Sequence, residues 1–201
     1  TAAGCQTDST ALSALRVPRV YSGRATMAIL KIAKMGHPVL RQVAEPVEDP
    51  TAPGILRLVG DMMATLEDIA GAGLAAPQVH VSKRVVMFHV PPGRGDPETV
   101  PFTVLVNPRI EVLTDETEAG WEGCLSVPGL RGLVSRPAYI RYSGYGVDGQ
   151  RIEREAKGFH ARVVQHECDH LDGVLYPQRM DDLSRLIFES EFRHHLEEAT
   201  T

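Results

Sequence analysis

Residues 165 to 173 read QHECDHLDG and place His166, Glu167 and His170 in the spacing H-E-x-x-H. On a helix, residues i and i+4 lie about 40° apart around the axis. His166 and His170 therefore point the same way, one turn apart, and can share one cation. Glu167 is offset too far to join them as a ligand. It can still reach a water beside the cation, where a general base is useful. Phe159, Val163, Val164 and Leu171 form an apolar stripe on the same segment. A helix over about 158–172 is expected, with its histidines facing an interior cleft. A surface helix carrying these residues by coincidence is the weaker reading.

Outward from this helix the chain changes period. RVVMFHV (84–90), FTVLVNP (102–108), RIEVL (109–113), GLVSR (132–136), YIRYSGYG (139–146) and QRIEREA (150–156) read as short strands bounded by Gly, Pro or Asp. YGVDGQ contains an Asp-Gly pair and reads as a hairpin turn, and PPGRGDPET (91–99) reads as a loop. PGILRLVGDMMATLEDIAGAG repeats apolar residues at helical spacing, with Pro53 in the first turn and Gly71 at the stop. AILKI (28–32) suggests a strand. MGHPVLRQVAEPVEDP, broken by three prolines, suggests mostly loop. A third helix is expected over about 181–197. Strands grouped between helices indicate an α+β fold. The expectation is antiparallel strands around the central H-E-x-x-H helix, with an N-terminal and a C-terminal helix.

Composition sets the limits. The chain has 201 residues, 43% hydrophobic and 23% charged, enough for one domain with a core. No apolar run approaches the roughly 18 residues that span a bilayer, so no membrane partner is expected. A net charge of −5 argues against nucleic-acid binding. The three cysteines, Cys5, Cys124 and Cys168, make no disulfide framework and suit a reducing compartment. Residues 1–26 hold Arg16, Arg19 and Arg24, many Ser and Thr, and one acid. They read as an N-terminal extension, either an organellar transit segment or an appended tail. Met27 followed by AILKIA looks like a natural start and favours the tail. Residues 27–201 would then form the catalytic domain.

Two histidines do not complete a metal site. A catalytic site usually has three protein ligands and an open position. The extension H-E-x-x-H-x-x-G-x-x-H fails here, because Gly173 matches but Tyr176 stands at the last position. A zinc endopeptidase of another type takes a downstream glutamate, and Glu189 and Glu191 lie at a suitable separation. Cys124, in WEGCLSVPG, is the better candidate. A thiolate binds borderline-soft metals strongly, and Gly123 permits close approach of backbone to a site. Glu189 lies in an ordinary amphipathic stretch. Alone, Cys124 would read as a buried inert thiol.

Three segments stand together in order: GAGLAAPQ (71–78), EGCLSVPG (122–129) and QHECDHLDG (165–173). They resemble the three signature motifs of the peptide deformylase family, G-x-G-L-A-A-x-Q, E-G-C-L-S and Q-H-E-x-D-H-L. The likeness runs from about Met27 to about Met180. It implies Cys124, His166 and His170 as metal ligands and Glu167 as general base. It implies that the Leu125 main-chain N–H and the Gln78 amide hold the oxyanion, and that Gly73 meets the peptide backbone. The implied reaction removes the formyl group from N-formylmethionine on nascent chains. The implied metal is Fe²⁺, with Zn²⁺, Ni²⁺ or Co²⁺ as substitutes, and the implied fold is α+β.

Neighbouring residues have competing readings. Glu122 either orders the site by hydrogen bonding or faces solvent. Arg131 either meets the substrate backbone or carboxylate or is a surface charge. Phe159 and Val163 either line a pocket for the methionine side chain or pack the core. Asp169 reads as a supporting or surface acid, Cys168 as packing, and His194 and His195 as exposed. Relatives that dock on the ribosome near the exit tunnel use a basic C-terminal helix. DDLSRLIFESEFRHHLEEATT is mixed and acidic at both ends, which does not favour docking. The expected compartment is the bacterial cytosol, or an organelle if residues 1–26 are a transit segment.

Overall fold

A computed structural model describes residues 27–90 and 100–196. The expected N-terminal extension and the loop 91–99 lie outside the described residues. Among the described residues, eight strands form two antiparallel sheets. The larger has five strands in the order β1-β2-β3-β6-β7: β1 (Gly73–Ala75), β2 (Val85–Val90), β3 (Val100–Val112), β6 (Tyr139–Tyr145) and β7 (Arg151–Lys157). The smaller has three, β4 (Thr117–Cys124), β5 (Val127–Pro137) and β8 (Leu186–Phe188).

Strand β2 shows how the layers are set. Its side chains alternate between the two faces of the sheet. Val86, Phe88 and Val90 pack with the helix α2 (Gly158–Leu171), while Val85 and Met87 pack with the helix α1 (Pro53–Asp68). Helix α1 buries Val59, Met62, Met63 and Leu66, the stripe read from its periodicity. On its other side α2 meets β5 of the small sheet. The helix thus lies between two sheets, with ten of its side chains buried.

The mixed fold agrees with the expectation, and four local readings change. Residues 28–32 form no strand. Their backbone is instead held by α1 side chains, with Ala28 N–H donating to Asp61 Oδ1 and Leu30 N–H to Thr65 Oγ1, both at 2.8 Å. The runs 102–108 and 109–113 are one strand, β3, with a register shift between Val106 and Arg109. Asn107 sits at that shift with φ 52° and clamps Val47 through its side chain at 2.9 and 2.8 Å. Helix α1 stops with Ala70, not Gly71, in the left-handed region, and Gly71 N–H reaches back to Leu66 O. The expected helix over 181–197 is broken into a 3₁₀ turn, the strand β8, a second 3₁₀ turn at Glu189–Glu191 and the short helix α3 (Arg193–Leu196). Pairing with β5 competes for this segment and wins, because Ile187 and Phe188 find ladder partners in Arg131 and Leu130. The hairpin at YGVDGQ forms as read, with Gly149 at φ 76°.

Candidate metal centre

Three elements bring the signature segments together. Strand β4 ends at Cys124, and a two-residue turn, Leu125–Ser126, leads into β5. Strand β1 carries Gly73 and runs into the 3₁₀ turn Ala76–Val79 that holds Gln78. Helix α2 brings His166, Glu167 and His170. Ligand atoms of Cys124, His166 and His170 all lie within 4.8 Å of one another. The Cys124 sulfur is 3.4 Å from His170 Nε2.

The donor set fits a metal. His166 Nδ1 lies 2.8 Å from Glu122 Oε2, which leaves Nε2 for an ion. Burial and the nearby His166 push the His170 pKa well down, so its ring is neutral as ligation requires. Burial opposes charge on His166 too. The hydrogen bonds to Cys124 and Glu122 nevertheless raise its pKa well above the usual value. The cluster therefore favours positive charge between the sulfur and the rings, which a divalent ion supplies in place of the proton.

Glu167 is buried beside this group, and its Oε2 has no hydrogen-bond partner among the described residues. Burial, reinforced by the Glu122 charge, pushes its pKa up to about 7. Gln78 is buried and oriented. Its Oε1 accepts from Ala75 N–H at 2.9 Å, and its Nε2 donates to Ser126 Oγ at 3.2 Å and lies 3.5 Å from the Cys124 sulfur. A cavity of about 540 Å³ opens onto these groups. Gly73, Leu125, Arg131, Phe159 and Val163 line it.

Glu122 does not face solvent. It accepts from Arg136 Nε and Nη2 at 2.6 and 2.9 Å and from Arg162 Nη1 at 2.9 Å. Burial alone would raise its pKa, but bonds from Arg136 and His166 hold the carboxyl well below the usual range. Asp169 is likewise buried, bridging Arg136 at 2.8 Å and Arg179 at 2.7 Å. Arg136, Arg162 and Ser126 were not singled out from sequence. Two signals existed. Arg136 shares strand parity with the buried Val134, so a charge was pointing inward. Arg162, His166 and His170 stand at i, i+4 and i+8 on one helix face. Cys168 packs in the core, where burial pushes its thiol pKa far up.

The downstream acids take other partners. Glu189 binds Arg131 at 2.6 Å and Glu191 accepts from Ser190 at 3.0 Å, and neither belongs to the ligand group.

The polypeptide deformylase family model matches residues 29–186. The chain belongs to this family. Peptide deformylase 1 of Bordetella pertussis is 58% identical over 156 residues, which cover 77% of this chain and 89% of that protein. A Met-Ala-Ser-bound class I type b peptide deformylase from Acinetobacter baumannii is 38% identical with TM-score 0.72, covering 77% of this chain and all of that one. The Ehrlichia chaffeensis peptide deformylase gives 32% identity and TM-score 0.73, covering 79% and 91%. The chain is thus a hydrolase of the deformylase type, and the endopeptidase alternative with a downstream glutamate ligand is not supported. No helix among the described residues is long and apolar enough to cross a membrane.

Proposed function

We propose that this peptide deformylase hydrolyses the N-formyl group of formylmethionine at the start of nascent polypeptides, giving formate and a free amine. The observation that carries this reading is the convergence of Cys124, His166 and His170 within 4.8 Å, with the buried Glu167 beside them. His166 and His170 on α2 and Cys124 at the end of β4 would together hold the metal. They would hold Fe²⁺ in the cell, with Zn²⁺, Ni²⁺ or Co²⁺ as substitutes, since thiolate and imidazole suit all four. Such an ion supplies Lewis acidity towards a water and the formyl carbonyl.

The remaining steps belong to the chain. Glu167 takes the proton of the attacking water and delivers it to the departing amine. Burial raises the affinity of Glu167 for a proton and a nearby cation lowers it, and the balance sets how readily it takes and returns the proton. Negative charge grows on the formyl oxygen, where Gln78 Nε2 and the Leu125 N–H donate. Gln78 is turned correctly for this because Ala75 N–H already occupies its oxygen. Gly73, on the edge strand β1, offers main-chain groups to the peptide. Phe159 and Val163 receive the methionine side chain, and Arg131 meets the peptide backbone further out. Glu122 acts one step back, orienting His166.

The substrate exists where translation begins with formylmethionine. The relatives named above are bacterial, which favours the bacterial cytosol, at the point where nascent chains leave the ribosome. The test is formate release from formyl-Met-Ala-Ser, with metal analysis on the same anaerobic sample. One ion per chain with formate release is expected, and Cys124→Ser should lose both. A fully loaded protein that releases no formate would overturn the reading.

A further inference from the structure

The charged side chains among the described residues lining the 540 Å³ cavity are Glu122, Arg131, Arg162, Glu167 and Glu189, apart from His166. Glu122 and Arg162 are committed to each other at 2.9 Å in the buried network. Glu167 is buried at the floor. The pair left at the mouth is Arg131 and Glu189, with side chains 34% and 56% exposed.

The fold builds this pair deliberately into the cleft wall. Strand β8 pairs with β5 so that Ile187 stands opposite Arg131. Glu189 follows two residues later and reaches back over the strand. Arg131 Nε and Nη2 both donate to one oxygen, Glu189 Oε1, at 3.0 and 2.6 Å. Glu189 Oε2 and Arg131 Nη1 take no part in these bonds. Phe192 lies 4.9 Å from the guanidinium and meets Trp121 edge-on at 5.3 Å. The guanidinium is therefore held by a ring as well as by its counter-ion. A half-exposed ion pair of this kind is weak enough to open to an incoming charge.

We propose that Glu189 is a specificity residue: as the counter-ion of Arg131 at the cleft mouth, it sets the charge preference for substrate side chains downstream of formylmethionine. This rests on the deformylase reading above. A formylated substrate has no charged α-amine. Its first charge is that of a downstream side chain, met at the mouth and not at the metal. With Glu189 present, Arg131 is neutralised and either sign is accepted. Without it, a cation stands unpaired over the path of the peptide.

The test compares formyl-Met-Ala-Glu-amide with formyl-Met-Ala-Lys-amide, whose amidated ends leave the side chain as the only charge. Metal-loaded wild type should turn over the two with kcat/KM within about twofold of each other. Glu189→Gln should shift that ratio about fivefold towards the Glu peptide, through KM and not kcat. Arg131→Gln should shift it towards the Lys peptide. Both shifts should collapse at about 0.5 M salt, as screened charges require. A residue that merely braces the C-terminal segment would slow both peptides alike. A ratio in Glu189→Gln unchanged within about twofold overturns the proposal, and so does a shift that survives high salt. If Glu189→Gln folds poorly, the Arg131→Gln arm decides alone by the same ratio. Failure of wild type on formyl-Met-Ala-Ser would instead remove the deformylase reading beneath it.

Discussion

Glu122 Oε2 lies 2.8 Å from His166 Nδ1, and the same carboxylate carries Arg136 and Arg162. One buried side chain thus touches His166 and pairs with two guanidinium groups. Glu122→Gln keeps the shape and removes the charge. It leaves Arg136 with Asp169 and Arg162 with the carbonyls of Glu118, Gly120 and Val134. Breaking a buried pair in this way costs about 3–5 kcal/mol. Replacing the carboxylate acceptor of Nδ1 by a neutral amide, whose oxygen accepts more weakly, should weaken metal binding about 10–100-fold. Urea denaturation and chelator competition measure the two effects. Metal affinity within about twofold of wild type would remove the orienting role.

Gly73 and Glu167 are in close apposition across the cleft. A Cβ built on Gly73 would fall 2.7 Å from Glu167 Cδ and 2.9 Å from its Cγ. These are atoms of a buried side chain that lines the cavity, so Gly73→Ala must displace the carboxylate. Displacement of a catalytic group by about 1 Å costs on the order of 10²-fold in rate. The ligands Cys124, His166 and His170 are untouched. The expected result is a full complement of metal with kcat reduced about 10²-fold. Unaltered kcat would show that Glu167 does not need its observed position.

The chemistry was more legible in the sequence than the architecture. His166, Glu167 and His170 stand at fixed spacing on one helix, a local property that survives any folding of the rest, whereas Cys124 comes from a distant strand. The strands β2, β5, β6 and β7 were legible because their apolar and polar residues alternate or run between turn residues. Strand β4 was not recognised. Its residues TEAGWEGC are mostly exposed or half-buried, and no period marks them. The segment 181–197 misled for the opposite reason: its helical pattern is real, but pairing with β5 outweighs local preference. The pairing within the ion network behind His166 was not legible because it joins β4, β5 and α2 across long separations. Arg136 and Asp169 are 33 residues apart and meet only in the folded chain.

Gly173 offers a stability test that leaves the chemistry alone. It follows α2 at φ 72°, and an added Cβ would lie 2.7 Å from the carbonyl carbon of Arg41. The neighbour is backbone, already fixed where Ala44 N–H donates to Leu171 O, so it has little room to yield. Both the left-handed conformation and the clash oppose a side chain. Gly173→Ala should lose about 2–4 kcal/mol in urea denaturation. Metal-loaded protein below its unfolding transition should retain wild-type kcat. A loss under about 0.5 kcal/mol would mean that the chain relaxes around the methyl group.

Glu167 makes stability depend on pH in a predictable direction. Burial raises its pKa from 4.5 in the unfolded chain to about 7 in the fold. Between those values the folded state holds the proton that the unfolded state has released. Stability therefore falls as pH rises through this window, by up to about 3 kcal/mol at about 1.4 kcal/mol per pKa unit. Glu167→Gln replaces the carboxyl with an uncharged group of similar shape and removes this dependence. Chelator-treated wild type and Glu167→Gln should have similar stability near pH 4.5, where the wild-type carboxyl is protonated in the fold. The variant should become the more stable of the two by pH 8, although it releases no formate at any pH. Removing the metal is necessary, because a nearby cation would favour the carboxylate and hide the effect. The measurement is the difference between the two urea-denaturation free energies at each pH. That difference cancels contributions from groups that do not interact with Glu167. Parallel curves from pH 4.5 to 8 would mean that the Glu167 carboxylate is solvated in the fold, and its suitability as a base near neutral pH would have to come from the bound ion instead.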